Sequence, residues 1–220
     1  MGGVLVVNLQ LRLMLVAGQA QALGAALNHA SLNVANALAA AALARAHGVS
    51  QAACREGLRS FQPDGHRIAV VAEQDQITWV DDSKATNPHA AASSLAAFAP
   101  VVWVAGGLAK GARFDDLVRS VGDRLRGVVL IGRDRQVIAD ALSRHAPDVP
   151  VIDVDTVETG AVVGDGDNRM RRVVAAAAGL AQPGDTVVLA PGCASMDQFT
   201  DYAARGDAFA TAVREHLSTD

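Results

Sequence analysis

The chain has 220 residues and a net charge of −4, from 19 Lys and Arg against 23 Asp and Glu, and 50% of its residues are hydrophobic. That aliphatic content excludes a disordered chain, and a mildly acidic balance without a basic run argues against broad binding to nucleic acid. Two cysteines, Cys54 and Cys193, are too few for a disulfide scaffold and suit a reducing compartment.

Val4 to Leu27 is apolar but interrupted by Asn8, Gln10, Arg12, Gln19 and Gln21. It therefore fails as a spanning helix, which needs about 20 mostly apolar residues, and no membrane insertion is expected. A signal-peptide reading would use Leu13 to Gly18 as its core and Ala20-Gln21-Ala22 as a cleavage-like site. That core is too short, and a strand over Val4 to Val7 is the better reading.

From Asn33 to His47 the sequence predicts an alanine-rich helix stopped by Gly48. Ser50 is a good N-cap for a second helix reaching about Arg59. The turn Gln62-Pro63-Asp64-Gly65 then marks a domain boundary. Beyond it the period changes. Arg67 to Glu73 and Ile77 to Asp81 read as strands joined by a polar turn. A helix follows Pro88, and Val101 to Ala105 is a continuous apolar run suited to a strand buried on both faces. The alternation continues with a helix near Phe114 to Val121, a strand Gly127 to Gly132, a helix Asp134 to His145 and a strand Val151 to Val154. Asp155 to Asp167 reads as a mobile surface loop. A helix from about Asn168 to Ala181, a strand Thr186 to Ala190 and a helix Met196 to Leu217, broken near Gly206, complete the pattern. The fold class expected is α/β, a Rossmann-like, mainly parallel sheet flanked by helices, with ligands at the carboxyl ends of the strands.

Three polar clusters fall at those ends. Asp81-Asp82-Ser83-Lys84-Ala85-Thr86-Asn87-Pro88 alternates donors and acceptors around one ammonium, and its Asn87-Pro88 opens a helix whose first amides favour anions. An ordinary polar loop is the plain alternative. Gly106-Gly107-Leu108-Ala109-Lys110-Gly111 lets backbone amides approach a ligand beside Lys110. It is neither GxxxxGK[ST] nor GxGxxG, so nucleotide binding does not follow from it alone. Pro191-Gly192-Cys193-Ala194-Ser195-Met196-Asp197 precedes the last helix. There Ser195 caps that helix or binds a carboxylate, and a hydrolase reading fails for want of GxSxG. Cys193 beside helix amides is either a thiol of lowered pKa or a small buried side chain. His66-Arg67 places an arginine at the boundary, to meet a carboxylate or a phosphate. Asn33 and Asn36 lie one helical turn apart, reading a polar ligand edge, or Asn33 serves as an N-cap. No histidine or cysteine spacing predicts a metal site.

In order and spacing, these residues resemble the Mur ligases over roughly Asn33 to Leu217. The resemblance rests on Asn33-Val34-Ala35-Asn36, His66-Arg67, Asp82-Ser83-Lys84-Ala85-Thr86-Asn87, Gly106-Gly107 with Lys110-Gly111, and Ala194-Ser195-Met196-Asp197-Gln198-Phe199. It implies a cytoplasmic, ATP-dependent amide ligase of peptidoglycan precursor synthesis, adding D-glutamate to UDP-MurNAc-L-alanine through an acyl phosphate, with Mg²⁺ and ATP as cofactors. By the same resemblance Asn33, Asn36, Arg67 and Asp82 would bind the nucleotide. Lys84, Thr86, Lys110 and Ser195 would hold the D-glutamate carboxylates, with Tyr202 close by. A dianionic amino acid needs at least two cations and hydroxyl donors, which this set supplies. No catalytic residue is assigned.

The resemblance also divides the chain into a remnant of a central ATP-binding domain, residues 1–64 with 1–28 poorly matched, and an amino-acid-binding domain, residues 65–220. The GKT-type loop, Mg²⁺ ligands and uridine-binding domain expected of such ligases have no match here, and Leu32 stands where a histidine is usual. A monomeric, truncated ligase is expected, inactive alone for lack of a stabiliser of phosphoryl-transfer charge. The alternatives are a noncatalytic Rossmann-like nucleotide-binding module, disfavoured by glycine spacing, an inert remnant, or a related ligase adding a different amino acid.

Overall fold

The structure, a computed structural model, describes residues 30–61, 65–155 and 166–218. The expected strand and export signal near the N-terminus, and most of the Asp155 to Asp167 loop, lie outside the described residues. Two compact units divide at Pro63/Asp64.

The first unit contributes α1 (Ala30–Ala46) and α2 (Gln51–Ser60). Gly48 takes φ 92, a left-handed conformation that suits glycine and ends α1. Ser50 then caps α2 by accepting from the Ala53 amide at 3.1 Å. α1 begins at Ala30, so Asn33 sits inside the helix and is not its N-cap. The spacing of Asn33 and Asn36 on α1 stands as expected.

The second unit is a six-stranded sheet. Its strands are β1 (Ala69–Gln74), β2 (Ile77–Asp81), β3 (Val101–Gly106), β4 (Leu125–Ile131), β5 (Val151–Asp153) and β6 (Thr186–Leu189), in the order β1-β2-β6-β3-β4-β5. β1 pairs antiparallel with β2, and every other pairing is parallel. The helices are α3 (Pro88–Leu95), α4 (Asp115–Val121), α5 (Arg135–His145), α6 (Gly166–Leu180) and α7 (Tyr202–Leu217).

Strand periodicity builds a core on each face. From β3, Val101, Trp103 and Ala105 pack with Leu95, Val118, Ile138 and Leu142 of α3 to α5. Val102 and Val104 turn to the other face, against Met170, Val174, Phe209 and Val213 of α6 and α7. β6 splits the same way, Val188 to the first core and Val187 and Leu189 to the second. A strand buried on both faces has no polar side to alternate with, which is why Val101 to Ala105 reads as an unbroken apolar run. Trp103 satisfies its indole N–H on the Ala190 carbonyl at 2.7 Å.

Two sequence expectations fail in the last helix. It begins at Tyr202, capped by Asp201, which accepts from the Ala204 amide at 2.8 Å. Residues 196–201 are instead a turn closed by the Gln198 and Phe199 amides on the Ser195 carbonyl. α7 also runs unbroken through Gly206.

Candidate functional site

Three loops leave the carboxyl ends of β2, β3 and β6, and backbone bonds join them. The amide and carbonyl of Leu108 pair with those of Ala194, at 2.8 and 3.0 Å. The Gly192 amide donates to the Ala85 carbonyl at 2.8 Å, and the Gly106 amide to Pro191 at 2.9 Å. The β4 loop joins them through Asp134, whose carboxylate accepts from the Ala109 amide at 2.8 Å. Glycine permits this closeness. A Cβ on Gly107, at φ 130, would collide with the Ala194 carbonyl, and one on Gly132 would lie 2.5 Å from the Gly107 Cα.

The sequence pattern did not point to the residue that fastens this assembly from below. Arg205, on α7, is 1% exposed. Its Nε donates to the Ser83 hydroxyl at 2.9 Å, one terminal nitrogen to the Ser83 carbonyl at 2.9 Å, and the other to the Cys193 carbonyl at 3.2 Å. Ser83 in turn donates to the Tyr202 carbonyl at 2.7 Å. One planar guanidinium thus joins the β2 loop, the β6 loop and α7, a task its rigid fork suits. Burial holds it below the usual guanidinium range, at about 10, so it stays charged. A usable signal was nonetheless present: position 205 falls on the same helical stripe as Ala208, Phe209, Ala212 and Val213, all buried. A charge on an apolar stripe needs an internal partner.

The Asp81-Asp82-Ser83-Lys84 loop is mostly folded inward. Asp81 accepts the Ser83 amide at 2.9 Å and meets His66 Nδ1 at 2.7 Å. Asp82 is 5% exposed and accepts the Ile68 amide at 3.2 Å. Burial raises its pKa to about 6, against the opposing pull of the nearby Ser94 hydroxyl and the Ile68 amide. Lys84 places its ammonium 5.8 Å from the Tyr202 ring centroid, within cation–π range. Asn87 caps α3 through the Ala90 amide at 2.9 Å, with Pro88 in the first turn as expected.

Of the residues singled out by sequence, the second unit therefore sets Lys84, Thr86, Lys110 and Ser195 on joined loops at one end of the sheet, with Tyr202 opening α7 beside Lys84. Lys110 is exposed, at φ 51, and Ser195 is 3% exposed. Arg67 is exposed on the turn before β1; His66, rather than Arg67, meets the carboxylate there. The side chains of Asn33 and Asn36 lie outside what is described. At two residues the structure removes one of the alternatives that the sequence left open. Ser195 caps no helix, because α7 starts seven residues later and takes Asp201 as its cap. Cys193 is not a thiol of lowered pKa: it is fully buried, and desolvation pushes it up to about 12.

The family model described as Mur ligase, glutamate ligase domain, matches residues 66–193, more than half of the chain. A UDP-N-acetylmuramoylalanine–D-glutamate ligase of Streptomyces coelicolor is 63% identical over 183 residues, covering 83% of this chain and 37% of its own. One from Mycolicibacterium smegmatis is 53% identical over 205 residues, covering 83% and 42%. The chain thus spans well under half the length of these relatives. Among solved structures, a pseudomurein peptide ligase type C from Methanothermus fervidus superposes with a TM-score of 0.54 at 18% identity, over 85% of this chain and 35% of that one, a likeness of fold. With the match covering β1 to β6 and the first two of the joined loops, the chain belongs to the Mur ligase family, in its glutamate ligase domain.

Proposed function

We propose that this chain is the amino-acid-binding part of an ATP-dependent ligase that adds D-glutamate to UDP-MurNAc-L-alanine in the cytoplasm. In that reaction the muramoyl-alanine carboxylate takes a phosphoryl group from ATP, releasing ADP. The D-glutamate amine then attacks the acyl carbon, and phosphate leaves. The observation that carries the reading is the joining of Lys84, Thr86, Lys110 and Ser195 on three loops at one sheet end. Two ammonium groups on separate loops suit a ligand with two carboxylates. Ser195 and Thr86 offer hydroxyl donors on the same loops, and the Tyr202 ring lies beside Lys84.

Nucleotide binding by this chain is a partial role. Arg67 is exposed and suited to a phosphate. Asp82 fits a ribose hydroxyl less well, with one oxygen on the Ile68 amide and 5% exposure. Among the described residues no group of three His, Cys, Asp or Glu gathers to hold a metal ion, and the 220 residues contain no GxxxxGK[ST] loop. The described residues do not make a Mg²⁺ site, so no step is assigned to the metal here. Alone, as a monomer, the chain is expected to bind the amino acid without completing the reaction. The two-unit division at Pro63/Asp64 supports assigning residues 1–64 to the end of an ATP-binding domain and 65–220 to the amino-acid-binding domain.

The test is an amide ¹H–¹⁵N titration of the chain with D-glutamate and, separately, L-glutamate, to millimolar ligand. Shifts centred on Lys84, Thr86, Lys110 and Ser195 with the D enantiomer are expected. A dispersed spectrum that responds to neither enantiomer would refute a self-sufficient amino-acid site.

A further inference from the structure

The turn before β1 is held in an unusual way. His66 and Ile68 both take left-handed backbone conformations, φ 60 and φ 50, on either side of the exposed Arg67. Such conformations are unfavourable for a non-glycine residue, above all a β-branched one, and persist only when the surroundings over-determine them. Three bonds to the β2 end and its loop do so here. The Asp81 carboxylate takes His66 Nδ1 at 2.7 Å, the Asp82 carboxylate takes the Ile68 amide at 3.2 Å, and the Lys84 amide donates to the His66 carbonyl at 3.0 Å. The other Asp81 oxygen accepts the Ser83 amide at 2.9 Å.

α7 closes over this cluster. A Cβ on Gly206 would fall on His66 Nδ1 and lie 2.6 Å from Asp81 Oδ2, so the helix approaches the pair as closely as backbone allows. The far side of the imidazole faces Asp207 at 3.8 Å and, edge-on, the Tyr202 ring at 6.3 Å between centroids.

We propose that Asp81 is a positioning residue that latches the His66-Arg67-Ile68 turn to the Ser83-Lys84 loop, so that Arg67 and Lys84 are oriented together. The inference rests on the amino-acid and nucleotide roles proposed above for Lys84 and Arg67. It adds a direct mechanical link between them: occupancy of the Lys84 side is felt at Arg67 through the His66 carbonyl and imidazole. An ordinary buried ion pair would stabilise the fold without transmitting anything.

Amide hydrogen exchange on the 220-residue chain separates the two, with no ligand present. In Asp81→Ala the Ser83, Lys84 and Ile68 amides should exchange at least about tenfold faster, while β3 and β4 amides keep their protection. Asp81→Asn, which still offers an acceptor to Ser83 and a donor to the imidazole, should retain most of it. Unchanged protection at Lys84 and Ile68 overturns the latch. If Asp81→Ala loosens β3 and β4 as well, His66→Gln decides the matter, because it keeps the buried carboxylate: faster exchange at Lys84 and Ile68 supports the latch, and unchanged exchange overturns it. With D-glutamate added, the Arg67 amide should shift in the parent chain and stay still in Asp81→Ala while Lys84 responds in both. An Arg67 shift that survives the substitution contradicts the link. Should D-glutamate move no amide while the exchange pattern holds, the amino-acid assignment falls and the latch stands.

Discussion

The two ends of the parallel strands use buried charge in opposite ways. At the amino ends, Asp185 is almost fully buried and meets the Arg126 guanidinium at 3.0 and 3.3 Å, while capping the Gln182 amide at 2.9 Å. That pair is closed: each charge faces its opposite, and the result is a tied-down start of β6. At the carboxyl ends the buried Arg205, among the described residues, bonds to two carbonyls and a hydroxyl on two loops rather than to a carboxylate. Nearby, Asp81 and Asp82 spend their oxygens on backbone amides and His66. Charge at one end neutralises charge; at the other it fixes loop geometry. A protein that merely needed stability would gain little from the second arrangement, since desolvation of an unpaired ion is expensive.

Substitutions should separate the ends. The largest effect is expected from Arg205→Ala, which leaves the Ser83 and Cys193 carbonyls buried without a donor. A loss of roughly 3 kcal/mol or more follows from about 1–3 kcal/mol per orphaned group, read as a lower urea midpoint with unchanged slope. Asp82 comes next. Its folded pKa, about 6, lies above the usual 3.8, so the folded state binds the extra proton and stability falls as pH rises from about 4 to about 6. The fall should total roughly 2–3 kcal/mol, and Asp82→Asn should flatten it and be the more stable chain at pH 7.5. Gly206→Ala pits about 1 kcal/mol of helix propensity against collision with the His66–Asp81 pair. A net loss of about 1–3 kcal/mol is expected, and a stabilised variant would show that the pair yields freely. At the amino end, Arg126→Ala should cost less than Arg205→Ala, because Arg126 is 36% exposed and water replaces it in part. Equal costs would erase the distinction between the ends.

Asp115 is the smallest case and lies outside both. His145 and then Arg144 hold its carboxyl below the usual carboxylate range. Its contribution is therefore present above pH about 4 and lost on further acidification. Asp115→Asn should lower the thermal midpoint slightly at pH 7, by an amount that shrinks steadily as the pH falls below about 4.

Most of the second unit was legible because β3 and most of β4 and β6 are buried on both faces, which leaves apolar runs bounded by turns that no helix of that length would show. Strand order was not legible: β6 inserts between β2 and β3, a consequence of tertiary pairing with no local signature. The start of α7 was misread because Ser195 and Asp201 are both acceptable caps. What decides between them is that the Asp197 carboxylate turns to the Arg133 amide at 2.8 Å, within a turn that holds the chain until Asp201. Gly206 reads as a break in isolation, yet it is required by the approach of α7 to His66. The candidate site was legible as residue types at loop positions, Lys84, Lys110 and Ser195 among them. Its support was not, since Arg205 and Gly206 act through contacts with residues more than a hundred positions away, such as the Arg205–Ser83 bonds, and Asp81 through His66 on the far side of the β1–β2 hairpin.

On the function proposed above, the joined loops form one site for an acidic amino acid. Calorimetric titration of D-glutamate into the parent chain, Lys84→Ala and Lys110→Ala tests it most directly. A single-site heat in the parent, lost in each variant while the thermal midpoint holds, is the predicted result. Identical heats in all three chains, or none in the parent, would contradict it.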